Sequence, residues 1–323
     1  MEIFIASIKI LGGFAVLVWG AERFVHGAAA TAKNLGVSTL VIGLTIVGFG
    51  TSAPEILVSV MAALNGNPGI AVGNALGSNI TNIGLVLGST ALIFPLLVSS
   101  RLLKREFPIL LATMGLGLFL LWDNELSRLD GAILVGTLGL LTLWLVRLGM
   151  TQPSSEPLSM EVEKEIPAMS LPRAILWTVL GLVLLLISSR ILVDGAVTLA
   201  TLYGVSDMVI GLTIIAIGTS LPELAASLMS AFKKEPDMAI GNVIGSNMFN
   251  LLAVLGIPGL LSPITLEAHA ISRDYSAMLG LTVLFFIFAY GFRGPGRINR
   301  LEGGIMLTGY IAYMVVLYFS IHR

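Results

Sequence analysis

The sequence predicts an all-α membrane protein with ten transmembrane helices, arranged as two inverted repeats of five helices each. Its 323 residues are 56% hydrophobic and only 11% charged, with a mean hydropathy of +0.94, whereas a soluble domain carries about 25% charged residues. Ten apolar stretches approach or exceed the roughly 20 residues that a helix needs to cross a bilayer. Two motifs also occur twice, each at an offset of 168 residues.

The repeated motifs indicate that half of the protein is duplicated. The first motif reads VIGLTIVGFGTSAPE and ends at Glu55; it returns as VIGLTIIAIGTSLPE, ending at Glu223, with 11 of 15 positions identical. The second motif, AVGNALGSNITN at residues 71–82, returns as AIGNVIGSNMFN at residues 239–250. Each half therefore places a carboxylate inside an apolar segment, where an ionisable side chain is expensive and usually functional.

The apolar stretches form two sets of five, separated by the polar segment 151–170. The first half, residues 1–150, has stretches at about 3–25, 36–64, 69–98, 106–122 and 129–148. The second half, residues 171–323, has stretches at about 172–200, 205–232, 238–261, 274–292 and 302–320. The motifs lie in 36–64, 69–98, 205–232 and 238–261. Because five is an odd number, two homologous halves in series must be inverted relative to each other.

The distribution of basic residues orients these spans. When alternate loops are assigned to opposite sides, thirteen basic residues fall on one side and five on the other, and the richer side is expected to be cytoplasmic. This predicts that both termini lie outside and that the 151–170 linker is cytoplasmic. The richer side contains Arg23, Lys33, Arg101, Lys104, Arg105, Arg147, Lys164, Arg173, Lys233, Lys234, Arg293, Arg297 and Arg300; the other contains Lys9, Arg128, Arg190, Arg273 and Arg323.

Composition and motifs also exclude several classes of function. The chain has no cysteine, which excludes disulfides, thiolate chemistry and cysteine metal sites. A net charge of -1 without a basic cluster gives no indication of nucleic-acid binding. The spans contain no Ser–His, Asp–Asp or HExxH arrangement of the kind that an intramembrane enzyme needs. We therefore expect a non-enzymatic protein whose partners are the lipid bilayer and small ions, with an oligomeric state that the sequence leaves open.

The GTSxPE motif combines a helix-disrupting proline with several oxygen ligands. Pro54 and Pro222 lack an amide donor, so the carbonyls of Gly50 and Gly218, four residues earlier, lose their helical partner. At membrane depth such a carbonyl needs another partner, and a cation is one.

The side chains that follow add hydroxyls and a carboxylate. On a continuous helix Thr51 and Ser52 share a face with Glu55, and the second half repeats the set. Carboxylate, hydroxyl and carbonyl oxygens suit Ca²⁺, and also Na⁺, better than zinc or copper. The duplicated set is Thr51, Ser52, Glu55, Thr219, Ser220 and Glu223.

The second motif places a polar stripe on an apolar helix. Asn74, Ser78 and Asn82 fall at i, i+4 and i+8, and the second copy provides Asn242, Ser246 and Asn250. An asparagine offers a neutral carbonyl oxygen, which is a ligand or gating group of low cost. Asparagines in spans also form interhelical hydrogen bonds, and we expect that role for Asn79 and Asn247. A single buried glutamate could be structural as well, but duplication beside proline and hydroxyls favours a ligand role for Glu55 and Glu223.

Paired in two inverted five-span halves, the GTSxPE and GNxxGSN motifs resemble the alpha repeats of the cation/calcium exchanger superfamily, particularly its bacterial and archaeal sodium/calcium exchangers. The resemblance covers nearly the whole chain. It implies a multi-pass protein of a prokaryotic inner membrane that exchanges Ca²⁺ for Na⁺ by alternating access. The ions are transported substrates, and no cofactor is implied. The four motif helices would form a core, across which the first span of each half slides.

The resemblance also assigns ligands. It implies that Glu55 and Glu223 coordinate Ca²⁺, and that flanking oxygens complete the Ca²⁺ and Na⁺ sites. The carbonyls of Thr51 and Thr219 would serve Ca²⁺, and those of Gly48 and Ala216 would also serve as ligands. The hydroxyls of Ser52, Ser78, Ser220 and Ser246 would serve Na⁺.

One position departs from the pattern of this superfamily. Some sodium/calcium exchangers have an aspartate where this chain has Asn250, and the matching residue Asn82 is also neutral. Two glutamates still balance the charge of Ca²⁺, but the counter-ion and the number of Na⁺ ions stay open. The alternatives are a Ca²⁺/H⁺ exchanger, because buried glutamates can carry protons, a K⁺-dependent exchanger, and a cation channel.

Overall fold

The computed structural model describes residues 2–37, 39–65, 69–151, 169–204, 216–266, 270–291 and 296–321. Over these ranges the chain is helical except for turns and four strands of two residues each. Most of the 151–170 linker and the first part of the 205–232 stretch lie outside the described residues. The linker and the start of that span therefore stay predictions.

The first half begins with one long helix and continues with the two motifs. Its helices are α1 (Glu2–Leu35), α2 (Thr39–Ile42), α3 (Gly48–Thr51), α4 (Ala53–Leu64), α5 (Gly69–Thr81), α6 (Gly88–Ile93), α7 (Phe107–Leu120) and α8 (Arg128–Thr151). Strand β1 (Leu96–Leu97) follows α6, and β2 (Glu125–Leu126) precedes α8. Three π-helical segments interrupt this half, at Gly43–Val47, Asn82–Leu87 and Leu102–Glu106.

The second half repeats this order. Its helices are α9 (Leu171–Leu202), α10 (Ala216–Thr219), α11 (Leu221–Phe232), α12 (Pro236–Phe249), α13 (Gly256–Leu261), α14 (Ser276–Ala289) and α15 (Arg300–Ile321). Strand β3 (Ile264–Thr265) follows α13, and β4 (Arg297–Ile298) precedes α15. The π-helical segments here are Asn250–Val254 and Ala270–Tyr275.

Among the described residues, seven helices are long and apolar enough to cross a membrane, and a bent pair, Leu40–Thr51 with Ala53–Leu64, would make eight. Two of the ten predicted stretches do not qualify by themselves. The 106–122 stretch forms the shorter helix α7 after a π-helical segment, and the 205–232 stretch is described only from residue 216 onward.

Two predicted boundaries differ from the structure. The first stretch was expected to end near residue 25, but α1 continues to Leu35 through small residues that are buried. The 69–98 stretch was expected to be helical throughout, but the helix ends at Ile93. Phe94 is extended, with φ −122° and ψ 101°, because it precedes Pro95 and a residue before proline is forced out of the helical region.

The second-motif helices form the centre of the molecule. The apolar windows of Gly69–Ile93 and Pro236–Leu261 are 72% and 89% buried, whereas those of the other candidate spans are 17–28% buried. Residues of both copies, such as Leu76, Ile80, Ile244 and Leu252, belong to one large apolar cluster. The repeated segments are therefore enclosed by the rest of the fold, and the polar side chains that they contain are enclosed with them.

The first helices of the two halves form a separate close-packed pair. A β-carbon at Gly27 of α1 would lie 2.4 Å from the backbone nitrogen of Thr178 in α9, and one at Gly181 would lie 2.5 Å from that of Phe24. Small residues permit this close approach, which is typical of helix packing in membranes.

The short strands connect the halves in a reciprocal way. Strand β1 pairs antiparallel with β4, and β2 pairs antiparallel with β3. The last helix of each half also packs on the other half. Helix α15 of the second half packs on α6 of the first, and α8 of the first half packs on α13 of the second. In both cases the segment that follows the second motif of one half contacts the end of the other half.

Candidate cation site

Each GTSxPE motif forms a helix break that places its glutamate in the first turn of a new helix. Helix α3 ends at Thr51, Ser52 adopts φ −80° and ψ 4°, and α4 begins at Ala53 with proline in its first turn. The second copy is built alike, with Ser220 at φ −90° and ψ 6° before α11. Proline is tolerated at this position because the first amides of a helix have no intrahelical partner.

This break changes the expected geometry of the motif. The sequence predicts that Pro54 disrupts the helix, and on a continuous helix Thr51 and Glu55 would share one face. The structure instead places Thr51 at the end of α3 and Glu55 in α4, with a bend of 43° between the two segments. A carboxylate in a first helical turn is favoured by the helix dipole, and both residues are buried.

The freed carbonyl that the sequence predicted at Gly218 has a protein partner. The Ser189 hydroxyl of α9 donates to Gly218 O at 2.9 Å. Sequence analysis missed this residue, because the first half has Ala21 at the corresponding position and the repeat therefore gave no signal.

The glutamates and the hydroxyls beside them are almost completely buried. Glu55 and Glu223 are each 1% exposed. The adjacent Thr51, Ser52 and Ser220 are also buried. Burying a charged group is costly unless it is paired or coordinates a cation, so this placement demands a partner.

Hydrogen bonds bring the two first-motif copies together. The Ser52 hydroxyl donates to Glu223 Oε1 at 3.2 Å, and Glu55, three residues after Ser52, lies close enough to Glu223 for the two carboxylates to interact electrostatically. The Thr51 hydroxyl contacts Asn242 Oδ1 at 3.1 Å. Residues 168 positions apart in sequence therefore converge in one place.

The backbone carbonyl of Gly48 also lies at this junction. It accepts a hydrogen bond from the Ser246 hydroxyl at 3.3 Å. A β-carbon at position 48 would lie 2.9 Å from the backbone nitrogen of Ser246. Glycine is required here for α3 to approach α12 so closely.

Two pairs of asparagines cross between the halves. Asn82 Nδ2 donates to Asn247 Oδ1 at 3.0 Å, and Asn250 Nδ2 donates to Asn79 Oδ1 at 3.1 Å. Asn82 and Asn250 are the first residues of π-helical segments, which occur frequently at functional sites. The interhelical role expected for Asn79 and Asn247 is therefore confirmed.

A second layer anchors each glutamate backbone. Asn74 Nδ2 donates to Glu55 O at 3.0 Å and to Ser59 Oγ at 2.9 Å. Asn242 Nδ2 donates likewise to Glu223 O at 3.2 Å and to Ser227 Oγ at 2.8 Å. Sequence analysis missed both serines, although they recur 168 residues apart and the repeat could have identified them.

The remaining predicted site residues lie on α5 and α10. Ser78 is buried, with its hydroxyl 3.5 Å from Asn74 Oδ1. Thr219 ends α10 and is partly buried, and Ala216 begins that helix.

Several buried oxygens at this centre have no hydrogen-bond partner among the described residues. They are Glu55 Oε1 and Oε2, Glu223 Oε2, Ser220 Oγ, Asn82 Oδ1 and Asn250 Oδ1. Buried polar atoms are normally paired, and these are all oxygens, the ligands that hard cations such as Ca²⁺ prefer. The described parts of the chain contain no group of three or more His, Cys, Asp or Glu residues that could hold a metal ion, so any cation here would rely on neutral oxygens besides the two carboxylates.

Fold and site together define the class of protein, an integral multi-pass membrane transporter for hard cations. Comparison with known proteins specifies it further. The family model for sodium/calcium exchanger protein matches residues 6–147 and 173–319. The chain is 49% identical to putative antiporter CaxA of Alkalimonas amylolytica, over 98% of this chain and 99% of the relative. It is 30% identical to sodium/calcium exchanger MaX1 of Methanosarcina acetivorans, over 96% and 97%.

A solved structure of the sodium-calcium exchanger NCX_Mj, soaked with Na⁺ and Sr²⁺, superimposes with a TM-score of 0.83 at 32% identity, covering 97% of this chain and 98% of that one. The chain belongs to the sodium/calcium exchanger family, in the bacterial and archaeal branch of the cation/calcium exchanger superfamily. It is therefore a cation/calcium antiporter rather than an enzyme, and ions are its substrates rather than cofactors.

Proposed function

We propose that this protein exchanges Ca²⁺ for Na⁺ by alternating access, and that Glu55 and Glu223 bind both ions in turn. The single observation that carries the proposal is the pair of buried carboxylates, three of whose four oxygens have no hydrogen-bond partner among the described residues. In the proposal, the other ligands predicted from the sequence complete the ion sites around these two carboxylates. They include the carbonyls of Gly48 and Ala216 and the side chains of Asn82 and Asn250. The exchangers named among the relatives support Ca²⁺ and Na⁺ as the substrates.

Shared ligands would enforce exchange. Two carboxylates balance one Ca²⁺ or a small set of Na⁺ ions, but holding both sets would crowd like charges in a medium of low dielectric. Binding of Ca²⁺ and binding of Na⁺ then exclude each other. The protein must release one ion species before it takes the other, and inverted halves supply two near-equivalent states open to opposite sides.

The strand pairing supports ten spans in two inverted halves. In that topology β1 follows the third span and β4 follows the ninth, so an even number of crossings separates them and they share one side of the membrane. Strands β2 and β3 follow the fourth and eighth spans and share the other side. Both observed pairs, Leu96 with Ile298 and Leu126 with Ile264, satisfy this requirement. Each half pairs the strand after its second motif with the strand before the last helix of the other half. A two-fold relation between residues 1–150 and 171–323 requires this arrangement.

The proposed orientation has both termini outside and the 151–170 linker in the cytoplasm of a prokaryotic cell, with the protein in the inner membrane. The basic residues of the cytoplasmic loops support it. The close-packed pair α1 and α9 would slide across the motif helices to expose the site alternately to each side.

Uptake of radioactive Ca²⁺ into proteoliposomes tests the proposal. Vesicles preloaded with Na⁺ are diluted into Na⁺-free buffer and compared with K⁺-loaded vesicles and with vesicles given a pH jump. The variants are Glu55→Gln, Glu223→Gln and, as a matched control, Glu125→Gln, which makes the same change at an exposed glutamate of β2. We expect uptake only with internal Na⁺, lost in the first two variants and retained in the third.

Other outcomes separate the alternatives. Uptake driven by the pH jump alone would make the protein a Ca²⁺/H⁺ exchanger, and a requirement for K⁺ together with Na⁺ would make it a K⁺-dependent exchanger. Large Ca²⁺ fluxes without any counter-ion would indicate a channel. If Glu55→Gln and Glu223→Gln both transported Ca²⁺ normally, the proposed site would be wrong.

A further inference from the structure

The crossed asparagine pairs fix the orientation of two carboxamides at the candidate site. Asn82 gives its Nδ2 to Asn247, and Asn250 gives its Nδ2 to Asn79. All four side chains are at most 2% exposed. In each pair the donor belongs to one half of the protein and the acceptor to the other.

Orientation matters because the two ends of a carboxamide have opposite effects on a cation. The Oδ1 end is a ligand, whereas the Nδ2 end carries two hydrogens that repel positive charge. With Nδ2 engaged, the free end of Asn82 and of Asn250 is Oδ1, and both of these oxygens are buried without a hydrogen-bond partner among the described residues.

The acceptor at position 79 is itself held in place. Asn79 Nδ2 lies 3.2 Å from Met278 Sδ, which leaves its Oδ1 for Asn250. Asn74 and Asn242 behave differently, since each donates to a glutamate carbonyl within its own half. Among the described second-motif asparagines, Asn82 and Asn250 are those whose Nδ2 is held by an asparagine of the other half.

We propose that Asn79 and Asn247 are positioning residues, which hold the carboxamide oxygens of Asn250 and Asn82 toward a bound Ca²⁺ or Na⁺ ion. This inference rests on the proposed function, because it requires a cation at the same centre. Without Asn247 the Asn82 carboxamide is free to rotate by half a turn and present its amide hydrogens, and the affinity for the cation falls. Asn79 acts on Asn250 in the same way.

An aspartate provides the test, because both ends of a carboxylate are oxygens and its orientation no longer matters. We would measure equilibrium binding of radioactive Ca²⁺ to the purified full-length protein, with Na⁺ competition, for Asn247→Leu alone and in an Asn82→Asp background. We expect Asn247→Leu to raise the Kd for Ca²⁺ roughly tenfold in the natural background and less than about twofold in the Asn82→Asp background.

The second pair supplies the matched control. Asn82→Asp should not rescue Asn79→Leu, which acts on Asn250, whereas Asn250→Asp should. If each leucine variant weakened binding equally in both aspartate backgrounds, or did not weaken it at all, the residues would be structural only and the proposal would be overturned. If a leucine variant does not fold, the alanine variant at the same position replaces it in the same cycle.

Direct binding also separates this inference from the proposed function. If the protein binds Ca²⁺ with the crossed rescue pattern but internal Na⁺ does not drive uptake, the positioning role stands and the proposed coupling fails. If the purified protein binds neither Ca²⁺ nor Na⁺, both are overturned.

Discussion

The two halves anchor their glutamates identically but surround the carboxylates differently. In each half an asparagine of the second motif donates to the backbone carbonyl of the glutamate and to a serine one turn further along. Glu223 accepts a hydrogen bond from Ser52 through Oε1. Both carboxylate oxygens of Glu55 lack a partner among the described residues.

The backbone anchors are thus common to the two halves, whereas the hydrogen bonds of the carboxylates are not. Under the proposed alternating access, two inverted halves cannot adopt the same conformation while the site is open to one side, so matched residues would have unequal surroundings in any one state. Substitutions at matched residues of the two halves therefore distinguish two kinds of contact. Contacts that the repeat preserves should give equal effects, and contacts made in one half alone should give unequal effects.

The largest effect is expected at the two glutamates, and it should be equal in both halves. Replacing either with glutamine removes a unit of charge that would face a divalent cation in the proposed site. Loss of one member of a buried charge pair costs about 3–5 kcal/mol, or roughly two to four orders of magnitude in affinity. Binding of Ca²⁺ to purified Glu55→Gln and Glu223→Gln checks this. A variant with nearly normal affinity would show that only one half supplies an essential ligand.

A smaller and unequal effect is expected at the anchoring asparagines. Asn242 is completely buried and also accepts from Thr51 of the other half at 3.1 Å, whereas Asn74 is partly exposed and has Ser78 at 3.5 Å. Each buried polar group left unpaired costs about 1–3 kcal/mol. Thermal unfolding in detergent should show Asn242→Ala less stable than Asn74→Ala. Equal losses would mean that the contact with Thr51 contributes nothing.

Substitution of the serine at each helix break should also lower stability unequally, with the larger loss at Ser52. Ser52 donates to Glu223, but the Ser220 hydroxyl has no partner among the described residues. A hydrogen bond to a charged group contributes about 1.5–3 kcal/mol, so Ser52→Ala should destabilise the ion-free protein while Ser220→Ala leaves it almost unchanged. Unfolding temperatures measured without Ca²⁺ and Na⁺ test this, and a greater loss in Ser220→Ala would contradict the assigned asymmetry.

Sequence analysis predicted the parts of this architecture that a repeat and a polarity pattern encode. It identified the duplicated motifs, the helix-disrupting prolines and the polar residues that the structure brings together around Glu55 and Glu223. It could not predict that Ser52 would break the helix fully, or that Asn82 would pair with Asn247. Periodicity tells which residues share a face, but rotamers and hydrogen-bond partners depend on how distant helices pack.

Comparison of the two repeats could not reveal contacts that only one half can make. Ser189 holds the Gly218 carbonyl, and Ala21 stands at the matching position. Such contacts are invisible to an argument from symmetry because they depend on residues that the duplication has not preserved.

The smallest expected effect concerns another one-sided contact, between α1 and α11. Lys233 Nζ lies 2.8 Å from Glu22 Oε1, and both side chains are partly exposed. The matching residues, Asn65 and Arg190, cannot form an ion pair. If α1 moves against the motif helices during transport, this pair must break in the opposite state. Exposed ion pairs contribute about 0.2–1 kcal/mol, so Glu22→Gln should shift the balance between the two states by at most about fivefold.

Transport from each side of oriented vesicles measures this shift. The apparent KM for Ca²⁺ should change in opposite directions on the two sides in Glu22→Gln. Asp194→Asn is the matched control, because it breaks the 2.6 Å pair with Lys9, which joins α1 to α9. If α1 and α9 move as one unit, that pair stays intact in both states and its loss leaves the ratio of the two KM values unchanged. A ratio altered by Asp194→Asn but not by Glu22→Gln would show that the motion occurs between α1 and α9 instead.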